Sequence, residues 1–286
     1  MAITAAQVKE LREKTGAGIM DAKKALIEND GDMEKAVEYL RQKGMASADK
    51  KMSRIAAEGL VYSLIEDGVG AMVEVNCETD FVAKNEDFKN LVDMIAKAVI
   101  KHNPASVEEL NTVQCPVCGK LVEDMVKESI ATIGEKITIR RFVREEGSVA
   151  SYVHNNKIGV LVNYDGSEEA VAKDVCLHIA SSAPEFVSRN EIPQEVIDEE
   201  TRIEMGKEDL ANKPEQIRAK IVEGRVNKLM SQRCLLEQPF VKNPDQTIEQ
   251  YIESKIVIKS FDRWTLGEGL EKRQDNFAEE VMSQMK

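Results

Sequence analysis

Two short stretches of this sequence carry residues whose types and spacing could do chemistry. The first is Cys115-Pro116-Val117-Cys118, in which two thiolates from one tight turn could bind a metal ion or form a redox dithiol. A structural zinc site usually needs a second such pair, and the sequence offers neither another Cys-x-x-Cys nor a nearby pair of histidines. A metal or redox function centred on Cys115 and Cys118 is therefore one hypothesis, supported by half of a ligand set.

The second stretch is Thr79-Asp80-Phe81-Val82, which lies where a strand pattern changes to a helix pattern. An acid followed by a large aromatic residue at such a corner has two interpretations. In one, Thr79 or Asp80 caps a helical turn and Phe81 folds back into the core. In the other, the corner is a rigid prong that offers an aromatic wedge and a carboxylate to another molecule. The spacing of the residues leaves both interpretations open.

Composition narrows the class of protein. The chain has 286 residues and a formal net charge of −12, so it lacks the cationic excess that direct binding to nucleic acid or to an anionic membrane needs. We expect a protein partner instead. The sequence opens with no signal-peptide pattern and has no apolar run long enough to span a membrane, which predicts a cytoplasmic protein with reduced cysteines. No nucleophile and base stand out, so we predict neither enzymatic activity nor a cofactor.

The elements around the corner must position it. Val73, Val75 and Cys77 alternate with polar residues, which predicts a strand with one buried face. After Asn85 the period changes to that of a helix, which runs to about Lys101 and carries one apolar stripe: Phe88, Leu91, Val92, Ile95 and Val99. The corner is thus predicted to connect a strand to a helix.

The first forty-four residues predict a compact three-helix module. Thr4 and Gln7 form a capping box for the first helix, and Asp32 caps the third. Gly44 is predicted to end the third helix in a left-handed conformation. The small, polar and basic segment that follows, residues 45–54, is predicted to be a linker.

Residues 55–143 and 144–192 are predicted to form two related half-domains of an α+β core. Each opens with a hairpin, turned by Asp67-Gly68 in the first and by Asn155-Asn156 in the second, and a helix follows each hairpin. The second half-domain has only Tyr164-Asp165-Gly166 where the first has the Thr79–Val82 corner. A corner that only one of the two related half-domains contains is harder to explain as part of their shared fold.

The rest of the chain is predicted to be mostly helical. Residues 193–231 show a thin apolar stripe typical of a projecting helical hairpin, which could form a coiled coil and meet a partner or a second copy of the chain. Residues 232–266 return to the core with two strands, at 255–261 and 263–266. Residues 267–286 form a C-terminal module with an amphipathic helix at 275–285.

Two long segments, Lys9 to Leu26 and Glu74 to Ala83, stand beside several shorter ones. Together they resemble the elongation factor Ts family of bacterial translation proteins, and the resemblance covers essentially the whole chain. It implies an N-terminal ubiquitin-associated-like three-helix module, a two-part α+β core of antiparallel sheets, a protruding coiled-coil hairpin and a C-terminal helix. Later segments that resemble the family are Ile133 to Ile137, Ile158 to Val162, Pro184 to Phe186, Gln238 to Val241 and Gly267 to Lys272.

The resemblance also implies a function, that of a guanine-nucleotide exchange factor for the GTPase elongation factor Tu. It implies that Asp80 and Phe81, with Thr79 and Val82 beside them, form a prong that dislocates Mg²⁺ in the GTPase. The N-terminal module would dock on the GTPase, and a second surface on the other half-domain would contact another domain of it. The residues that the resemblance assigns to these two surfaces are Arg12, Ile19 and Met20 for the module, and Tyr152 and His154 for the second surface. For His154, a solvated histidine in a hairpin loop is an equal alternative.

Overall fold

The computed structural model of the chain describes residues 3–211 and 213–271, with the backbone alone described for 45–50. These residues form helices and small β-sheets, as an α+β protein does. The predicted C-terminal helix at 275–285 lies outside the described residues. Within the described ranges, no helix is both long and apolar enough to cross a membrane.

The chain divides into two compact units. The first unit comprises residues 1–64, 71–144 and 265–286, and the second comprises residues 65–70 and 145–264. The predicted three-helix module and most of the first half-domain therefore belong to one unit. The finer division of the chain into domains stays a prediction.

The chain begins with the three predicted helices, α1 (Ala5–Thr15), α2 (Ile19–Glu28) and α3 (Met33–Lys51). Thr4 and Gln7 form the predicted capping box of α1, and Asp32 Oδ1 accepts a hydrogen bond from the Lys35 amide in the first turn of α3. The three helices enclose a small core of their own. Its buried residues are Leu11, Ala22, Ala25, Leu26 and Ala36.

A sheet with strand order β1-β2-β3 follows. A buried core lies between the sheet and the helices, and the stripe predicted for the long helix, which includes Phe88, Leu91 and Ile95, is completely or almost completely buried there. The elements, in chain order, are β1 (Glu58–Glu66), β2 (Val69–Cys77), α4 (Asp80–Ala83), α5 (Glu86–His102), α6 (Val107–Thr112), α7 (Val122–Ile133) and β3 (Thr138–Glu146).

The expectation that β2 has one buried face is wrong. Glu74 is completely buried and Asn76 is 3% exposed, although both lie on the face that the alternation assigns to solvent. The reason is that β2 is the central strand of its sheet, and the segment after residue 264 covers its second face. The amide of Gly267 donates a hydrogen bond of 2.8 Å to Glu74 Oε1 from that segment.

The predicted helix end at Gly44 is also wrong, because α3 continues to Lys51 and makes most of the expected linker at 45–54 helical. Gly44 is not among the residues with positive φ. A Cβ atom added to Gly44 would lie 2.7 Å from Ala131 Cβ on α7. Gly44 is therefore a glycine that lets two helices approach closely, rather than a helix stop.

The second unit is built on a sheet with strand order β4-β5-β8. Strands β4 and β5 are antiparallel, with a register from Ser148 opposite Tyr164 to His154 opposite Ile158. The two strands predicted at 255–261 and 263–266 are one continuous strand, β8. The elements are β4 (Ser148–His154), β5 (Ile158–Gly166), α8 (Glu169–Ser182), α9 (Gln194–Met205), α10 (Glu215–Arg233), β6 (Pro239–Phe240), β7 (Asn243–Thr247), α11 (Ile248–Ile252) and β8 (Ile256–Thr265).

The two hairpins turn where the sequence predicts. Asp67 and Gly68 have φ values of 50° and 75°, and Asn155 and Asn156 have values of 51° and 57°. These left-handed conformations suit Asn, Asp and Gly, which explains why such pairs predict hairpin turns. A helix follows each hairpin, α5 in one case and α8 in the other. The third strand of each sheet comes from a different part of the chain. In the first sheet it is β3, which precedes the second hairpin, and in the second sheet it is β8, near residue 260.

Helices α9 and α10 occupy the segment predicted to be a helical hairpin. On α10, Val222, Val226 and Met230 recur at helical spacing and are buried in a cluster with Leu210. The two helices thus share a small apolar core within the second unit. That the pair projects as a coiled coil stays a prediction.

Candidate functional site

The corner at residues 79–82 is a capped helical turn. Thr79 has an extended backbone, and its Oγ1 accepts a hydrogen bond of 3.3 Å from the amide of Val82. This is the arrangement of an N-cap, which satisfies an amide that has no partner within the helix. The first interpretation of the corner is therefore right about Thr79 as the capping residue.

The same interpretation is wrong about Phe81, whose ring does not fold back into the core. Phe81 is 80% exposed, more than any other large apolar residue in the described part of the chain. The turn is anchored instead by Ala83, which is 7% exposed, and by Val82, which packs against the core of the first unit. The corner thus exposes the Phe81 ring to solvent, while Val82 and Ala83 hold its backbone against the core.

Charged side chains flank the exposed ring. Asp80 Oδ2 lies 2.6 Å from Lys84 Nζ, one turn further along the chain. The same Nζ atom is 6.0 Å from the centroid of the Phe81 ring, at the outer limit of a cation–π contact. Because both charged groups are largely exposed, their pairing contributes little to stability. They make the surface around Phe81 polar without covering the ring.

Two carboxylates, Glu78 and Glu135, fix the base of the corner, and we name them the carboxylate clasp. Glu135 Oε2 accepts hydrogen bonds from the amides of Glu78 and Thr79, at 3.0 and 2.9 Å. Its Oε1 accepts a bond of 2.6 Å from the hydroxyl of Thr79. In the opposite direction, Glu78 Oε1 accepts bonds from the amide of Lys136 at 2.6 Å and from Arg54 Nη1 at 3.1 Å.

Sequence reasoning missed the carboxylate clasp. Glu78 and Glu135 are 57 residues apart in the chain, and neither lies on a periodic stripe that would signal a contact. The one signal was indirect, since each lies within a segment that resembles the elongation factor Ts family. Tertiary structure brings these segments together, because α7 ends at Ile133 beside the corner and Gly134 turns the chain with a φ of 91°.

The residues predicted to dock the N-terminal module lie on α1 and α2. Met20 is 75% exposed and Ile19 is 57% exposed, both in the first turn of α2. Arg12 is exposed on α1, and its carbonyl accepts a hydrogen bond of 2.7 Å from the amide of Gly16. Exposed apolar side chains at a helix start serve no core, and they favour a contact surface.

Tyr152 and His154 lie on β4 in the second unit, and the structure brings them together. Tyr152 Oη is 3.1 Å from His154 Nδ1, and His154 Nε2 is 3.1 Å from Asn155 Nδ2. The side chain of His154 is exposed but has two hydrogen-bond neighbours. The predicted surface residues therefore fall into three local groups, around the corner, on α2 and on β4.

Cys115 and Cys118 occupy different environments. Cys115 is 1% exposed in the core of the first unit, whereas Cys118 is exposed, with its Sγ 3.5 Å from Met125 Sδ. No cluster of three or more His, Cys, Asp or Glu side chains suited to a metal ion occurs among residues 3–211 and 213–271. Burial raises the pKa of the Cys77 thiol to about 12, so this cysteine beneath the corner is neutral at physiological pH.

One comparison with known proteins bears on these residues. Residues 78–268 match the family model described as Elongation factor TS. The match covers more than half of the 286 residues and includes the corner, the carboxylate clasp and the Tyr152–His154 pair. It begins after α3, so the N-terminal helices lie outside it.

Proposed function

The chain belongs to the elongation factor Ts family, whose members are nucleotide exchange factors for the GTPase elongation factor Tu, and on that premise we propose how it acts. It binds the GDP-bound GTPase in the cytoplasm, disturbs the binding of Mg²⁺ and phosphate, and promotes the release of GDP. GTP then binds to the empty GTPase and displaces the factor. The observation that carries this proposal is the 80% exposure of Phe81 on a capped and anchored turn.

The mechanism follows from thermodynamic linkage. If the factor binds the nucleotide-free GTPase more tightly than the GDP-bound form, GDP and the factor weaken each other's binding by the same ratio. The factor makes and breaks no covalent bond. It needs only contacts with the GTPase that are better when GDP is absent.

Phe81 supplies such a contact. Burying an aromatic side chain removes roughly 150–250 Å² from water, and fully burying a phenylalanine side chain is worth about 1.5–3 kcal/mol before the costs of association. Coupling energies between two ligands are typically about 1–3 kcal/mol. Inserting the ring between packed elements of the GTPase therefore provides enough free energy to shift the groups that hold Mg²⁺ and phosphate. Moving Mg²⁺ removes the largest local charge that holds GDP.

The other two groups of residues act as docking surfaces in this proposal. Ile19 and Met20 on α2, together with Arg12 on α1, attach the N-terminal module to the GTPase, and their exposure supports this role. Tyr152 and His154 contact a second domain of the GTPase. The net charge of −12 supports a protein partner over nucleic acid.

The test is stopped-flow release of a fluorescent GDP from elongation factor Tu. The Phe81→Ala variant should lower the maximal release rate strongly, and Asp80→Ala should lower it less, because a surface carboxylate contributes less than a buried wedge. Val257→Ala is the matched control, since Val257 is 65% exposed on β8 and belongs to none of the proposed surfaces. Release at the parental rate by Phe81→Ala would show that the ring is not the wedge. If the protein binds the GTPase tightly but does not speed GDP release, it is better described as an adaptor, which binds its partner without exchanging the nucleotide.

A contact between two copies of the chain is a second proposal, carried by α9 and α10. Ile203 and Ile217 are 47% and 51% exposed on these helices, which leaves apolar surface for another chain. Sedimentation analysis should detect a dimer that Ile217→Glu dissociates. A parent protein that stays monomeric over the concentrations tested would rule out this contact.

A further inference from the structure

We propose that Glu135 is a positioning residue for nucleotide exchange, which holds the corner so that Phe81 enters the GTPase in one fixed orientation. The proposal rests on the proposed function of Phe81 and adds a residue that does not itself touch the partner. It starts from the three hydrogen bonds by which the Glu135 carboxylate holds Glu78 and Thr79.

The hydrogen bonds to Glu135 hold the backbone of the corner as well as a side chain. Both amides that precede α4 donate to one oxygen of Glu135, and the Thr79 hydroxyl donates to the other. Hydrogen bonds to a carboxylate are stronger than neutral ones, and a carboxylate can accept from several donors at once. The direction in which the chain enters α4 is therefore set by Glu135.

The hydroxyl of Thr79 makes two hydrogen bonds, one as a donor and one as an acceptor. Thr79 Oγ1 donates its proton to Glu135 Oε1 and accepts a hydrogen bond from the Val82 amide. Because the hydroxyl proton of Thr79 points to Glu135, the Thr79 oxygen presents a lone pair to the Val82 amide, as an N-cap residue must. Glu135 thus orients the group that closes the turn carrying Phe81.

Helix α4 is too short to fix its own orientation. It spans only Asp80–Ala83, a single turn, and such a helix is marginal without tertiary contacts. Its contacts with the core come from Val82 and Ala83, whereas the ring of Phe81 is exposed. The clasp supplies the remaining constraint at the start of the turn.

The backbone on both sides of Glu135 is itself held by hydrogen bonds. Glu135 follows Gly134, whose amide caps the end of α7 by donating to the carbonyl of Ile130 at 3.0 Å. The next residue, Lys136, is held by Glu78 through its amide at 2.6 Å and reaches the carbonyl of Arg54 with its Nζ atom at 2.9 Å. The clasp is reciprocal, so a displacement of the corner would have to break bonds in both segments.

If the base of the corner is loose, part of the binding energy of Phe81 is spent on ordering the backbone of the corner when the GTPase binds. Release of the clasp should therefore lower the maximal rate of GDP release. The factor concentration at half-maximal rate should change less, because the surfaces on α2 and β4 are untouched.

The experiment compares Glu135→Ala, Glu135→Gln and the control Glu123→Ala in stopped-flow GDP release, with rates expressed per folded molecule. Glu123 is an exposed carboxylate on α7 paired with Lys127. Glu123→Ala should therefore change neither the maximal rate of GDP release nor the factor concentration at half-maximal rate. Glu135→Ala should lower the maximal rate by about tenfold, the factor expected when one further backbone residue has to be ordered on binding. Glu135→Gln should recover part of the loss, because its amide oxygen can still accept from both backbone amides.

A double-mutant cycle distinguishes positioning from a general structural role. If Glu135 acts through Phe81, Glu135→Ala should cause no further loss in a Phe81→Ala background, whereas independent effects would multiply. Hydrogen exchange of the segment 78–85 in the free factor gives a readout without the GTPase. Glu135→Ala should speed exchange there, and Glu123→Ala should not.

The outcomes separate this proposal from the one on which it rests. A full maximal rate in Glu135→Ala, together with a reduced rate in Phe81→Ala, overturns the positioning role alone. A multiplicative loss in the double variant also overturns it. A parental rate in Phe81→Ala overturns the wedge, and the positioning role falls with it. Should Glu135→Ala fail to fold, Thr79→Val removes the hydroxyl with little change of shape and is expected to lower the maximal rate in the same way.

Discussion

Glu74 Oε2 lies 2.7 Å from Arg141 Nε, and the carboxylate is completely buried. Glu74 Oε1 accepts a second guanidinium bond from Arg140 at 2.9 Å and a bond from the amide of Gly267 at 2.8 Å. Burial alone would raise the pKa of Glu74, but the Gly267 amide and the two guanidinium groups together hold it below its ordinary value. One carboxylate thereby joins β2, β3 and the segment that follows β8.

Glu74→Ala should destabilise the protein strongly, by about 3–5 kcal/mol, because it leaves two guanidinium groups without their buried partner. Glu86→Ala is the matched control, since Glu86 forms an exposed pair with Lys89 and should cost less than about 1 kcal/mol. Urea unfolding measures both free energies. A loss below about 1 kcal/mol for Glu74→Ala would show that the ion pairs only offset their own desolvation.

The thermal stabilities of two phenylalanine variants should differ sharply. Phe88 is completely buried, so Phe88→Ala should cost about 3–5 kcal/mol. Phe81 is 80% exposed, so Phe81→Ala should leave the melting temperature of the free factor almost unchanged. Calorimetry of both variants checks this. A melting temperature of Phe81→Ala as low as that of Phe88→Ala would place the ring in the core.

Gly44→Ala should destabilise the protein although alanine favours helices. Its Cβ would lie 2.7 Å from Ala131 Cβ, and the double variant with Ala131→Gly should recover stability because it removes that contact. The matched control is Gly224→Ala in α10, where an added Cβ meets nothing within 4 Å. That change should stabilise by roughly 0.5–1 kcal/mol. Chemical unfolding of the parent, Gly44→Ala, the double variant and Gly224→Ala tests the close approach of α3 and α7. A Gly44→Ala variant more stable than the parent would refute it.

Replacing Cys115 and Cys118 by serine should leave nucleotide exchange intact. Cys118→Ser should also leave stability unchanged because the residue is exposed, while Cys115→Ser should cost about 1–3 kcal/mol by burying a hydroxyl. The release assay, urea unfolding and metal analysis of the parent protein check these expectations. Stoichiometric zinc that disappears in the double variant would instead reveal a metal site.

His178 should make stability depend on pH. It is fully buried, with Nε2 donating to Gln238 Oε1 at 2.8 Å and Nδ1 accepting from the Val241 amide at 3.2 Å, so both nitrogens are occupied in the neutral form. Burial lowers the pKa of His178 below 6.5, more than the bond to Gln238 raises it.

Because the folded pKa of His178 is lowered, the unfolded chain binds its proton first, and stability is complete above about pH 6.5. It should fall as pH decreases from 6.5 through the lower folded value. In urea unfolding between pH 8 and pH 5, the free energy of unfolding should depend less on pH in His178→Gln than in the parent protein. Equal slopes in the two proteins would exclude His178 as the source.

Local features of this protein were predictable from the sequence because neighbouring residues determine them. The capping box at Thr4, the left-handed turn at Asp67-Gly68 and the buried stripe of α5 were all predicted, and all are present. Each depends on backbone preferences or on a period within one element. The family was recognisable for the same reason, since its segments are continuous in the chain.

Contacts between distant segments were decided only by tertiary structure. The alternation around Glu74 predicted solvent on one face of β2, but a segment about 190 residues further along covers that face. Gly44 has the sequence of a helix stop, yet the nearby α7 makes it a packing residue. At the corner, the sequence determined that Thr79 could cap a turn and left the direction of Phe81 open. The fold placed Glu135 beneath that turn, and a carboxylate 56 residues away, invisible to any local pattern, holds the hydroxyl that closes it.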